Sequence, residues 1–146
     1  MDVGKMTKKL DGIISFYLKS QKDDEIAENK FETSGSLYKR NKKNFLFFEE
    51  TNMDDNSKTK CRLEFDDQGV RLRRDGRIIF DQKYILKEIT EGYLKTPHGE
   101  LKTKVKTTKY EISKRVESNL TLQLSYQLFI AEEDTGVHQL SIEFKV

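Results

Sequence analysis

Residues 120–130 read Leu120-Thr121-Leu122-Gln123-Leu124-Ser125-Tyr126-Gln127-Leu128-Phe129-Ile130. Every second residue from Leu120 to Ile130 is large and apolar, and most of those between are Thr, Ser or Gln. A period of two sends alternate side chains to opposite faces of an extended chain, so this is a half-buried β-strand. At about 3.4 Å per residue it spans roughly 37 Å. Ordinary strands run about five or six residues. A long, strongly alternating strand favours the tilted wall of an up-and-down barrel over a sandwich or a half-open barrel.

The pattern continues on both sides. Leu140, Ile142, Phe144 and Val146 alternate with Gln139, Ser141, Glu143 and Lys145, and Glu132-Glu133-Asp134-Thr135-Gly136 between the two runs reads as a hairpin loop. Upstream, Ile14, Phe16 and Leu18 mark a strand over 12–19, and Phe31, Thr33, Leu37 and Tyr38 mark another over 30–39, with Gly35 as a bulge. Lys22 to Glu28 reads as a connection. Further strands are expected over 44–50, 58–65, 69–73, 77–83, 87–95 and 100–112, giving about ten with 118–130 and 137–146. The fold class is therefore all-β, an antiparallel up-and-down barrel of about 8–10 strands. Residues 1–11 are taken as an N-terminal extension and 12–146 as one domain, a length that suits a single core.

Two turns allow finer expectations. A three-residue loop Arg74-Asp75-Gly76 pairs Arg73 with Arg77, Leu72 with Ile78 and Val70 with Phe80, with Gly76 at positive φ. In Thr96-Pro97-His98-Gly99-Glu100, pairing Thr96 with Glu100 puts Tyr93, Leu101, Thr103 and Val105 on one face and Lys102, Lys104 and Lys106 on the other. The apolar parity then changes at Thr108-Lys109, since Tyr110 and Ile112 become the large residues; a β-bulge accounts for that.

Composition excludes several classes. One cysteine makes no internal disulfide, and no apolar run reaches the length of a membrane helix. The basic N-terminus is followed by only Ile13–Leu18 and no small-residue cleavage site, so no signal peptide is read and the expected location is cytoplasmic. Cys61 alternates with Leu63 and Phe65 and is expected to be an inert buried thiol. Twenty-seven Lys and Arg against 25 Asp and Glu leave a net charge of +2, so nucleic-acid binding would rest on local patches.

Several segments then resemble a known family. Leu37-Tyr38 followed by Phe47-Phe48-Glu49-Glu50, the hairpin Val70 to Gly76, Gly92-Tyr93-Leu94-Lys95-Thr96-Pro97-His98-Gly99, Leu122 to Leu128, and Gly136 to Ile142 occur in an order similar to that of the YwiB-like family of small bacterial proteins, a domain-of-unknown-function family. The resemblance implies a calycin- or lipocalin-like barrel and no established reaction.

The apolar face is the main functional lead. Tyr93, Leu122, Leu124, Tyr126, Leu128, His138, Leu140 and Ile142 are expected inside the barrel. There they would line a site for one small apolar or amphipathic ligand, although their long side chains favour a packed interior. The alternative is a protein- or RNA-binding adaptor using outer basic faces: Arg40, Lys42 and Lys43 at a hairpin tip, Arg71 and Arg73 (with Arg77) on one face, Lys102 and Lys104 on another. Glu49 and Glu50 are adjacent in a strand, point to opposite faces and make no carboxylate pair. His98 and His138 have no metal-ligand spacing. No catalytic residue, cofactor or metal is expected; were there a reaction, Tyr93, His138 and Glu49 would be the residues to mutate.

Overall fold

The computed structural model describes residues 8–116 and 119–146. It contains ten strands: β1 (Lys8–Lys22), β2 (Glu25–Arg40), β3 (Lys43–Thr51), β4 (Lys58–Phe65), β5 (Val70–Asp75), β6 (Ile79–Tyr84), β7 (Ile89–Thr96), β8 (Gly99–Val116), β9 (Asn119–Ile130) and β10 (Glu133–Lys145). Each pairs antiparallel with its sequence neighbours, and β1 pairs with β10, which closes the barrel. Closure leaves no unpaired edge, the hazard of any open sheet. Among the described residues no helix is long and apolar enough to cross a membrane.

Alternation decides what points inward. On β9 Leu120, Leu122, Leu124 and Tyr126 are buried, and on β10 His138, Leu140, Ile142 and Phe144 are buried. Their outward neighbours are polar except Val137, and Lys102, Lys104 and Lys106 of β8 face water. An apolar inside and a charged outside is the reverse of the lipid-facing barrel pattern.

Several boundaries and registers differ from the expected ones. Residues 8–11 belong to β1 rather than to an extension, and residues 1–7 of the expected extension lie outside the described residues. The β1–β2 turn is confined to Asp23 and Asp24, and residues 25–28 extend β2 rather than connect. Gly35 makes no bulge; its register is continuous on both sides, and a Cβ there would lie 2.5 Å from the Ile14 side chain. The β5–β6 loop is Gly76-Arg77-Ile78, so Arg73 faces Asp81, Leu72 faces Gln82 and Val70 faces Tyr84. This overturns the Arg73–Arg77 register, and Gly76 is not at positive φ. What it provides is clearance, since a Cβ would come within 2.6 Å of Thr59 Oγ1. The register has an electrostatic reason: Asp81 accepts from both Arg71 and Arg73, which an Arg73–Arg77 pairing would leave without an acid.

At the β7–β8 turn Thr96 pairs with Gly99, not Glu100. Thr96 Oγ1 accepts from the His98 N–H and donates to the Gly99 carbonyl, both at 3.1 Å, holding a two-residue turn with Gly99 at φ 134°. That one-residue difference puts Tyr93 opposite Lys102 on the outer wall, and Leu94 points inward instead. The bulge at Thr108 is present, between Thr107 and Lys109. The β9–β10 hairpin turns at Ala131-Glu132, both at positive φ, and Thr135-Gly136 forms a bulge after it.

Candidate functional site

The connections β1–β2, β3–β4, β5–β6, β7–β8 and β9–β10 gather at one end of the barrel, and the remaining connections at the other. Towards the second end, Leu46, Phe65, Val70, Tyr84, Leu120 and Phe144 are buried against one another. Tyr110 reaches down to donate to the Asp66 carbonyl at 2.6 Å, which ties the β4–β5 loop to this packed end. The first end is different. It holds a cavity of about 430 Å³, within the range of small-molecule sites.

The cavity has an apolar floor and a polar side. Phe16, Leu18, Leu72, Phe80, Leu94, Tyr126, Leu128, Ile130 and Leu140 supply the apolar surface, and Ser20, Asn52, Thr59, Arg74 and His138 the polar atoms. Asp54, Arg77 and Ile78 stand at the rim. Ile78 is half exposed there.

Two polar arrangements are built into this wall. Arg74 lies on the inward parity of β5 with Val70 and Leu72, and it holds Glu50, the inward member of the Glu49–Glu50 pair. Asn29 also donates to Glu50, at 3.3 Å. Burial pushes the neighbouring Cys61 thiol up to about 11, so this cysteine is an inert core residue.

The second arrangement surrounds His138, which is 9% exposed. The Thr135 hydroxyl donates to the Leu128 carbonyl at 2.7 Å, so at 3.0 Å from His138 Nε2 it acts as acceptor. That assigns the ring proton to Nε2. Nδ1 then carries a lone pair, and Ser20 Oγ, 2.7 Å away, donates to it. Desolvation lowers the His138 pKa, and the Asp134 charge opposes the shift, so the imidazole is neutral at neutral pH. Its ring stacks on Tyr126 with centroids 5.3 Å apart. Beside Tyr126, the hydroxyls of Tyr84 and Thr107 are buried with no partner among the described residues.

Of the expected interior residues, Tyr126, Leu128, His138 and Leu140 line the cavity. Leu122, Leu124 and Ile142 are buried in the packed core instead. Tyr93 lies outside, where its hydroxyl accepts from Arg73 at 2.9 Å. Phe80, expected on the inward face of its hairpin, lines the cavity too, and Leu94, Ser20 and Arg74 join it without having been expected there. Ser20 and Arg74 sit on the inward parity of their strands, a signal present in the sequence. Tyr93, Glu49 and His138 are not brought together: the first two face outward and the third inward.

The basic surfaces are unequal. Arg71 makes a two-pronged contact with Asp81 at 2.8 and 2.7 Å, and Arg73 meets the same carboxylate at 2.9 Å. The Arg71 hydrogen bond is the main reason that the Asp81 carboxyl is held below its usual range. These arginines are compensated, and Arg77 has left their face for the rim, where it holds Asp55 at 3.0 Å. Lys43 at the β2–β3 tip pairs with Glu64 at 3.3 Å, while Arg40, Lys42, Lys102 and Lys104 remain exposed. Among the described residues no group of three or more His, Cys, Asp or Glu could hold a metal ion.

The barrel is similar to the crystal structure of the ywiB protein from Bacillus subtilis, with a TM-score of 0.77, 21% identity and 92% of each chain covered. At that identity the likeness speaks for the fold. No curated protein matches the chain. Residues 14–142 match the profile of a domain of unknown function, DUF1934. That span takes in all ten strands in whole or part, and the chain belongs to this family.

Proposed function

We propose that the protein is a binding barrel that holds one small amphipathic molecule in its open end. The observation that carries this reading is the cavity of about 430 Å³ at one end of a barrel whose other end is packed. Its apolar floor favours a ligand with an alkyl or aromatic body. The Ser20–His138 pair and Arg74, which is held by Glu50, stand on its side and offer hydrogen bonds to a polar end. The fold supports a binding role only by analogy with other hollow barrels; the cavity and its lining are the specific support.

Native mass spectrometry of the purified protein, followed by solvent extraction and mass analysis of what is released, tests the reading. The expected result is a bound small molecule with an apolar body that leaves on denaturation. A protein that carries nothing, and that takes up no neutral naphthylamine probe in a saturable way, would overturn it.

A further inference from the structure

A second feature lies on the outer wall of β2, β3 and β4, on the far side of the sheet from the cavity. Ser36 stands opposite Phe47, Tyr38 opposite Phe45, and Phe47 opposite Arg62. Their chain neighbours Leu37, Leu46, Phe48, Cys61 and Leu63 are buried, so alternation sends this set outward. Tyr38 meets Phe47 edge-on, centroids 5.4 Å apart at 88°, and Phe47 is 39% exposed. With Arg40 and Arg62 they surround a concavity of about 460 Å³.

The arginines single this wall out. Arg71 and Arg73 hold Asp81, Arg74 holds Glu50, and Arg77 holds Asp55. Arg40 and Arg62 hold no carboxylate among the described residues. Of the nearby acids, Asp11 and Glu64 are matched by Lys9 and Lys43, and Glu49, next after Phe47 on the outward face of β3, stands opposite Lys60. Two uncompensated guanidiniums therefore flank three aromatic rings on one face, next to the basic tip Lys39 to Lys43. Rings offer π-faces to planar groups, and guanidinium forks fit phosphate.

We propose that this wall binds single-stranded nucleic acid. About two or three bases stack on Tyr38, Phe45 and Phe47, and Arg40, Arg62 and Lys42 contact backbone phosphates. An acidic protein partner would use the charges but has no need of the rings. A duplex presents phosphates without free base faces. The site is independent of the cavity.

Fluorescence anisotropy with a labelled uridine octamer, a thymidine octamer and a duplex of equal length tests it. Both single strands are expected to bind in preference to the duplex. With about three phosphates contacted, the log–log salt slope is about −2, or roughly 15-fold weaker binding between 50 and 200 mM salt. Phe47→Leu should weaken binding by about tenfold, and Arg62→Gln should weaken it and flatten the salt slope by about 0.7. Lys102→Gln, on another part of the wall, should change nothing. Arg62→Gln leaves the rings in place, so the test survives if Phe47→Leu is poorly folded. No binding at low salt, equal binding of the duplex, or affinity indifferent to Arg62→Gln would overturn the proposal. So would sedimentation showing that the rings join two copies of the chain with no uptake of either octamer.

Discussion

His138 sits between two hydroxyls in the barrel wall, and desolvation is the main reason that its pKa is lowered, with Asp134 opposing. As pH falls, the unfolded chain takes up this proton before the folded one does. The contribution of the neutral ring is complete above the ordinary histidine value of about 6.5 and is lost progressively as pH falls from there through the lower value of the folded protein. Urea midpoints should therefore fall more steeply from pH 7.5 to 5.5 in the native protein than in His138→Gln. Parallel curves would contradict the assignment. Gly76 makes a second residue-scale prediction. It lies at ordinary φ with Thr59 close above it, so Gly76→Asn should be no milder than Gly76→Ala. Each should cost about 1–2 kcal/mol by overpacking, and Thr59→Ala should relieve most of the Gly76→Ala cost in the double variant. Denaturant melts of the two Gly76 variants, Thr59→Ala and the double variant decide it; a large rescue by Asn alone would restore the left-handed reading. At this scale alternation marks inward polar groups as well as apolar ones. Ser20 continues the parity of Phe16 and Leu18, and Arg74 that of Val70 and Leu72, so both were visible as inward polar groups. Tyr93 was not legible, because a single residue in the β7–β8 turn decides its face, and only the folded chain brings Arg73 to its hydroxyl on the outside.

The bulge in β8 is an element-scale device. Thr107 and Tyr110 both point inward with Thr108 and Lys109 between them, and the register with β9 shifts at that place. Deleting Thr108 should leave a regular strand with Thr107, Tyr110 and Ile112 still inside, and a cooperative melt should persist. Deleting Gln123 from the unbulged β9 should instead set Leu122 and Leu124 on opposite faces and abolish the folded state. Circular dichroism and thermal melts of the two deletions test this; equal damage would mean that the shift does not absorb a residue. Alternation exposed the bulge because an odd insertion flips the apolar face. It did not expose the β5–β6 register for the same reason. Moving the partner of Arg73 from Arg77 to Asp81 is a shift of four residues, which preserves every face. Only the salt bridges across the strands and the loop geometry distinguish the two. The β7–β8 turn was misread by one residue, and there the error carried a visible consequence, turning Tyr93 inward in the expectation.

At the scale of the whole molecule, strand number controls whether the barrel is hollow. About eight strands leave an interior that side chains just fill, and diameter grows with strand number. Ten strands enclose more space, which long residues fill at the packed end, and at the other end Ser20, Thr59 and Asn52 are short and leave it open. The closed barrel was legible from strand count and length. The cavity was not, because the same leucines line a filled barrel and a hollow one, and the expected packed interior holds for one end only. The central claim is that the open end takes up an amphipathic molecule, and blocking that end tests it most directly. Titration with N-phenyl-1-naphthylamine should give saturable fluorescence enhancement with one site per chain. Leu128→Trp, which fills the mouth, should abolish it while the protein still melts cooperatively, and Leu122→Met in the packed core should leave it intact. Uptake that is absent in the native protein, or unchanged in Leu128→Trp, would contradict the account.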